Sequence, residues 1–256
     1  MPAPPAFVWV PGREPGLLFI HGLGSFGRCF RHALESGRLP GRAILIPDLP
    51  GFGGEPTPEG FSFSMEAQAD WLAALCRSIG LRQISIIGHS MGGAVGILLS
   101  ERLAGEVTHF ACAVGNLVPE DCFFSRKIAE MGEAAFEEHG FAEYAERFRP
   151  REDQAVASGS TYYESLRTTS PKAMYRSSVD LVRLSDQGDL LGRFLALRCP
   201  KIYLCDTESL MAPHLEGALR MAGVPIVLIP RTGHALMEDN PDGFYSVLAD
   251  FLAGAS

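Results

Sequence analysis

The sequence predicts an α/β fold: a mostly parallel sheet with helices on both faces and one helical insertion. Three observations carry that prediction. Short apolar, β-rich runs recur along the chain, and each stops at a turn rich in glycine, proline or polar residues. Helix-type stretches separate most of these runs, as parallel strands require. From Pro119 to about Gly192 the alternation gives way to helix-type sequence alone. At 256 residues, one large domain of this kind is the natural size.

Taken in order, residues 1–16 are rich in proline and glycine around Phe7-Val8-Trp9-Val10, which reads as an edge strand or half a hairpin. Leu17–Ile20 is continuously apolar, the mark of a strand buried on both faces, and ends in the turn cluster His21-Gly22-Leu23-Gly24-Ser25. Arg28 to Leu34 reads as a short helix. Ala43–Ile46 is a second buried strand, followed by Pro47-Asp48-Leu49-Pro50-Gly51-Phe52-Gly53-Gly54. Ser64 is placed to cap a helix from Met65 to Ile79, with Glu66 in its first turn and Gly80 as its stop. Trp71, Leu72, Leu75 and Ile79 then share one apolar face. Ile84–Ile87 is a strand, the run beginning Met91-Gly92-Gly93-Ala94-Val95 a helix, and Val107–Val114 another strand closed by Gly115-Asn116.

The insertion is read as residues 117–192, with helices over Asp121–Met131, Glu133–Phe148, Thr161–Thr169 and Pro171–Leu184. The core, 1–116 and 193–256, resumes with strand Lys201–Cys205, helix Met211–Ala222 and strand Val224–Ile229. The loop Pro230-Arg231-Thr232-Gly233-His234 and a helix over Phe244–Leu252 complete it. In a sheet of this kind function gathers at the carboxyl ends of the strands. Here those ends carry His21, Asp48, Ser90, Asn116, the segment 206–209 and His234.

Bulk properties narrow the function classes. A net charge of −8 argues against nucleic acid and anionic membranes as partners, because both reward a basic surface. No run approaches the ~20 apolar residues of a membrane span, and residues 1–6 lack the basic region and apolar core of a signal peptide. Six scattered cysteines without a CxxC pair read as reduced structural thiols, and no histidine or cysteine spacing suggests a metal site. The expectation is a cytoplasmic protein that handles a small molecule, with no metal and no cofactor.

The chemistry concentrates at Gly88-His89-Ser90-Met91-Gly92, a G-x-S-x-G turn between strand and helix that lifts a serine hydroxyl out at the strand end. Alone, the pattern arises by accident in roughly one chain in ten of this size. Its position after one apolar run and before another adds weight. A serine needs a base within reach to act as a nucleophile at neutral pH. Of seven histidines, His89 adjoins Ser90 and is expected to point away from it. His234 follows the last strand, behind a glycine. A loop histidine is most often a solvent-facing or capping residue; a serine turn upstream and a strand end just before it favour the base.

Four segments in this order resemble the α/β-hydrolase family: His21-Gly22-Leu23-Gly24, Asp48-Leu49-Pro50-Gly51-Phe52-Gly53, Gly88-His89-Ser90-Met91-Gly92-Gly93 and Gly233-His234-Ala235-Leu236-Met237-Glu238-Asp239-Asn240-Pro241. The resemblance implies the α/β-hydrolase fold. It implies Ser90 as nucleophile, His234 as general base and then acid, and an oxyanion hole from the backbone N–H groups of Leu23 and Met91. It makes the insertion a helical cap over the nucleophile. Asp48 reads as structural, fastening the glycine-rich loop through side-chain to backbone hydrogen bonds.

The third triad member departs from the family pattern. The two usual acid seats fall on Ser209 and Val114, neither of them acidic. Glu208 is the first alternative, Asp206 the next, then Glu120 or Asp121. The acid fixes the imidazole tautomer and stabilises the imidazolium. The expected activity is cleavage of a small carboxylic ester or related acyl bond through an acyl-enzyme on Ser90. A carbon–carbon bond hydrolase, a lactonase or a cofactor-independent haloperoxidase uses the same parts. The vacant acid seats also keep open a weakly catalytic or non-catalytic small-molecule binder.

Overall fold

Strands that are apolar on both sides must be covered on both faces, and the chain does this with one seven-stranded sheet. The computed structural model describes residues 7–150, 157–207 and 211–254. The strands are β1 (Phe7–Val10), β2 (Arg13–Ile20), β3 (Arg42–Pro47), β4 (Ile84–His89), β5 (Val107–Ala113), β6 (Lys201–Cys205) and β7 (Ile226–Leu228). Their order is β1-β3-β2-β4-β5-β6-β7, so the strand carrying the serine turn is central. All pairings are parallel except β1 with β3. Phe7–Val10 is thus an edge strand, paired with the third strand rather than in a hairpin with the second.

Alternation along β2 splits the core in two. Leu18 and Ile20 face one apolar cluster, with Ile86, Leu72 and Leu98; Leu17 and Phe19 face the other, with Ile87, Phe244 and Tyr245. The first cluster rests on helices Met65–Ser78 and Met91–Arg102, the second on Pro241–Leu252. Ser64 Oγ accepts the Ala67 N–H at 3.1 Å, and Gly80 ends the helix with φ +75°. The buried stripe of that helix runs Met65–Ala69–Leu72–Cys76, with Trp71, Leu75 and Ile79 at its margin. The predicted face is therefore rotated slightly from the observed one.

Between β5 and β6 the described residues hold helices and no strand. The longer helices are Phe123–Ala129, Ala157–Leu166, Pro171–Gln187 and Leu190–Ala196. The helical stretch runs past Gly192 because Asp189 accepts the Gly192 N–H at 3.0 Å and starts a further helix. Leu181, Leu184, Leu190 and Phe194 share the cluster of Leu72 and Ile86, so this end of the stretch is part of the main core. Ile128, Phe136, Leu166 and Met174 form a smaller cluster of their own. Arg28–Leu34 breaks into a 3-10 turn, Gly27–Phe30, and one α-turn, His32–Glu35. Helix Pro213–Met221 starts two residues later than expected, at a proline suited to a first turn. Among the described residues, no helix is long and apolar enough to cross a membrane.

Candidate active site

Gly88 and Gly92 determine the shape of the serine turn. A Cβ on Gly88 would lie 2.5 Å from the Gly92 carbonyl oxygen, and one on Gly92 would lie 2.2 Å from that of Ile20. Ser90 sits between them at φ 52°, ψ −121°, which costs a non-glycine residue of order 1–3 kcal/mol. The surroundings hold it there. Its N–H donates to Ala113 O at 3.0 Å, and its carbonyl accepts from Gly93 N at 2.8 Å and Asn116 N at 3.3 Å. Its hydroxyl caps nothing at the helix start. Ser90 and His234 line one cavity of about 990 Å³, to whose wall the helical stretch contributes Phe124, Tyr144, Phe148 and Tyr162. No direct hydrogen bond joins the Ser90 and His234 side chains; a contact between a nucleophile and its base often tightens only in the substrate complex.

His234 is placed by a tightly bonded loop. Asp239 Oδ2 accepts the Gly233 N–H at 2.9 Å, and Thr207 bonds the Thr232 carbonyl through its N–H at 3.1 Å and its hydroxyl at 2.7 Å. His89 Nε2 donates to the His234 carbonyl at 2.7 Å, with the rings 4.9 Å apart. His89 does not simply point away from the site. It ties the serine turn to the histidine loop, a role that adjacency to Ser90 in the sequence does not reveal. The carbonyl can only accept, so His89 carries its proton on Nε2, and its Nδ1 has no partner among the described residues. Burial, helped by the nearby His234, lowers His89 to about 3.

The His234 ring is open to the cavity yet surrounded by protein, and burial moves its pKa below the usual 6.5. Asp206 and then Asp239 act against that shift. Its imidazole is therefore neutral at pH 7 and able to accept a proton.

The loop after β2 lies against Ser90: a Cβ on Gly22 would be 3.0 Å from Ser90 Cβ. His21 is fully buried and both its ring nitrogens are used. Nδ1 donates to the Gly22 carbonyl at 2.8 Å, and Nε2 accepts the Leu49 N–H at 2.9 Å. With C=O and N–H trans across a planar peptide, fixing the Gly22 carbonyl also fixes the direction of the Leu23 N–H. Neither the Leu23 nor the Met91 N–H has a protein acceptor among the described residues. Met91 also opens the Met91–Arg102 helix, whose N-terminus favours negative charge. Asp48 Oδ1 accepts the Gly27 N–H at 2.6 Å, so its bond reaches across to the preceding loop, while Gly53 packs against its carboxyl.

Of the candidate acids, Glu208 lies outside the described residues, as does Ser209. Asp206 directly follows β6, almost wholly buried at 3% exposed, and is the carboxylate that most favours the charged form of His234. Asp121 lines the cavity, but its Oδ2 is engaged by the Leu117 and Val118 N–H groups at 2.8 and 3.0 Å. Glu120 faces His214 at 3.8 Å. Val114 holds φ +41°, an outlier for a β-branched residue, and has no ionisable group. Glu238, which sequence reading did not single out, is a buried carboxylate in the cavity wall paired with Arg31 at 2.7 Å. No cluster of potential metal ligands occurs among the described residues.

A central strand ending in a strained serine, with a histidine loop beyond the last strand of a mostly parallel sheet, defines an enzyme of hydrolase type. The chain belongs to the α/β-hydrolase family, whose profile, described as "Alpha/beta hydrolase family", matches residues 17–247. It is similar to the magnesium-chelatase 30 kDa subunit of Rhodobacter capsulatus, 26% identical over 258 residues spanning 95% of this chain and 89% of that protein. Among solved structures it resembles a thermophilic esterase from Thermogutta terrifontis, with TM-score 0.78, 23% identity and coverage of 97% of this chain and 93% of that one. It also resembles the N-acyl homoserine lactonase AidH, with TM-score 0.76, 21% identity and coverage of 98% and 94%. At these identities the structural likenesses establish the fold.

Proposed function

We propose that the chain hydrolyses a small carboxylic ester or related acyl bond through an acyl-enzyme on Ser90. The observation that carries the reading is the shared cavity, where a serine hydroxyl free of capping duty and a neutral imidazole line the same space. His234 takes the Ser90 proton as Oγ bonds to the carbonyl carbon, and the carbonyl electron pair moves onto oxygen. The Leu23 and Met91 N–H groups receive that oxyanion; a single such donor is typically worth ~10²–10³ in rate. Collapse breaks the bond to the leaving alkoxide, which takes the proton from the imidazolium. Water, deprotonated by His234, repeats the sequence, releasing the acid and restoring Ser90.

Asp206 orients the imidazole and stabilises its charged form in this reading, supported by its burial and its effect on His234. No cofactor is required. Aromatic side chains over the cavity favour an apolar acyl or alcohol group.

The test is labelling with a fluorophosphonate and turnover of 4-nitrophenyl butyrate. Wild type is expected to release nitrophenolate and to carry one adduct on Ser90, with both lost in Ser90→Ala. A wild-type chain that takes no label and cleaves no ester, while still binding apolar ligands, is a small-molecule binder on this scaffold.

A further inference from the structure

The loop that supplies the Leu23 N–H is held from two sides, and one of them belongs to the helical stretch above the cavity. From below, His21 fixes the Gly22 carbonyl. From above, helix Ala157–Leu166 reaches the next two carbonyls. The Tyr162 hydroxyl donates to Leu23 O at 3.1 Å, and the Ser165 hydroxyl, 2.7 Å from both Gly24 O and Tyr162 O, shares its one proton between those two carbonyls. Contact here is close: Gly24 has φ +69°, and a Cβ on it would lie 2.7 Å from the Tyr162 hydroxyl oxygen.

The direction of these bonds follows from donor counting. A backbone carbonyl only accepts, so Tyr162 spends its single proton on Leu23. Its oxygen is then left to accept from Tyr144, whose hydroxyl is 3.0 Å away. Burial pushes the Tyr162 phenol far above its usual value, so it remains a donor at any working pH. The chain Tyr144–Tyr162–Leu23 thus links two segments of the roof to the residue read as an oxyanion donor.

We infer that Tyr162, supported by Tyr144 and Ser165, is a positioning residue that locks the oxyanion loop from the roof, so that the Leu23 donor is in register only while the roof is seated. This rests on the reading of the Leu23 N–H as an oxyanion donor. Its peptide is gripped at the carbonyls on both sides, and rotation of either would swing the N–H away. A displacement near 1 Å of such a group costs about 10²-fold in rate. Because the oxyanion forms only in the transition state, the loss appears in kcat and not in substrate binding.

Tyr162→Phe keeps the ring and deletes the bond to Leu23; Ser165→Ala deletes the bond to Gly24 without disturbing an aromatic side chain. With 4-nitrophenyl butyrate, each variant is expected to lose ~10–100-fold in kcat with KM within about threefold of wild type. Inhibition by phenylboronic acid, which forms a tetrahedral adduct on serine, should weaken in parallel. A kcat within twofold of wild type, or a loss confined to KM, overturns the inference. Amide exchange at Ser25, whose N–H bonds the Gly22 carbonyl at 3.2 Å, gives a readout independent of turnover and is expected to speed up in both variants. Should wild type prove inert to ester and fluorophosphonate, the hydrolase reading fails, and unchanged exchange at Ser25 in both variants separately overturns the clamp. Should Tyr162→Phe not fold, Ser165→Ala decides alone by the same measures.

Discussion

His89 Nε2 donates to the carbonyl oxygen of His234 at 2.7 Å, so the residue before the candidate nucleophile grips the backbone of the candidate base. The two segments are 145 residues apart in the chain and meet at that bond. Removing it frees the histidine loop to drift relative to the serine turn and leaves a carbonyl without its partner. His89→Ala is expected to lower kcat/KM for 4-nitrophenyl butyrate by ~10–100-fold. It is also expected to slow fluorophosphonate labelling of Ser90. Values within twofold of wild type would show that Thr207 and Asp239 hold the loop unaided.

The pH–rate profile should identify the acid. Burial holds His234 below 6.5, so the acid limb of kcat/KM is expected below that pH. Asp206 is the leading influence in the opposite direction. Asp206→Asn removes a negative charge that favours the imidazolium, so the limb should move to lower pH while kcat falls ~10²-fold or more. Asp239→Asn should shift it less. A limb that stays in place in Asp206→Asn, but moves in Glu208→Gln, would transfer the role to Glu208.

Acid should destabilise the fold through its buried imidazoles. Burial lowers His21 to about 4 and His89 to about 3. Between those values and 6.5 the unfolded chain binds more protons than the folded one, so stability is complete above pH 6.5 and falls as the pH drops. The full loss is on the order of 3 kcal/mol for His21 and about 5 kcal/mol for His89. Asp48, raised by burial from 3.8 to about 6, works the other way and weakens the fold as the pH rises across that interval. His21 and His89 together outweigh Asp48 from pH 4 to 6.5. His109 and His234, also lowered by burial, add to the imidazoles, and Asp121 and Glu238, also raised by burial, add to the carboxylate. Urea midpoints across this range should rise accordingly, and more steeply in Asp48→Asn.

One substitution at two glycines should give opposite signs. Gly92→Ala drives a methyl to 2.2 Å from the Ile20 oxygen and 2.8 Å from that of His21, both backbone, and should cost ~1–3 kcal/mol or more. Gly217 lies exposed within helix Pro213–Met221 with nothing near its Cβ position. There Gly217→Ala should stabilise by ~0.5–1 kcal/mol through helix propensity and a restricted unfolded chain. Urea denaturation of both variants checks the pair.

Much of the architecture was legible locally because its causes are local. Leu17–Ile20 is apolar at every position, Ile84–Ile87 at all but Ser85 and Lys201–Cys205 at all but its lysine, a pattern that suits a strand buried on both faces. Ser64 and Gly80 marked the ends of one helix through their own hydrogen bond and dihedral angle. The tertiary structure decided what depends on distant partners. The buried stripe of helix Met65–Ser78 follows the surface it meets, so the predicted face was displaced toward Trp71 and Leu75. Asp48 bonds Gly27, 21 residues away, rather than the glycines that follow it.

The site divides in the same way. Sequence alone singled out Ser90 and His234 as candidate nucleophile and base, because a glycine-flanked serine turn and a histidine just past a strand are local features. Only the assembled fold decided how they are held. His89 gripping His234, Tyr162 clamping Leu23 and Asp206 biasing an imidazole are hydrogen bonds and fields across short spatial distances between residues remote in sequence. No pattern in the chain encodes such distances; they exist once the sheet sets its strand order and the helices close over it.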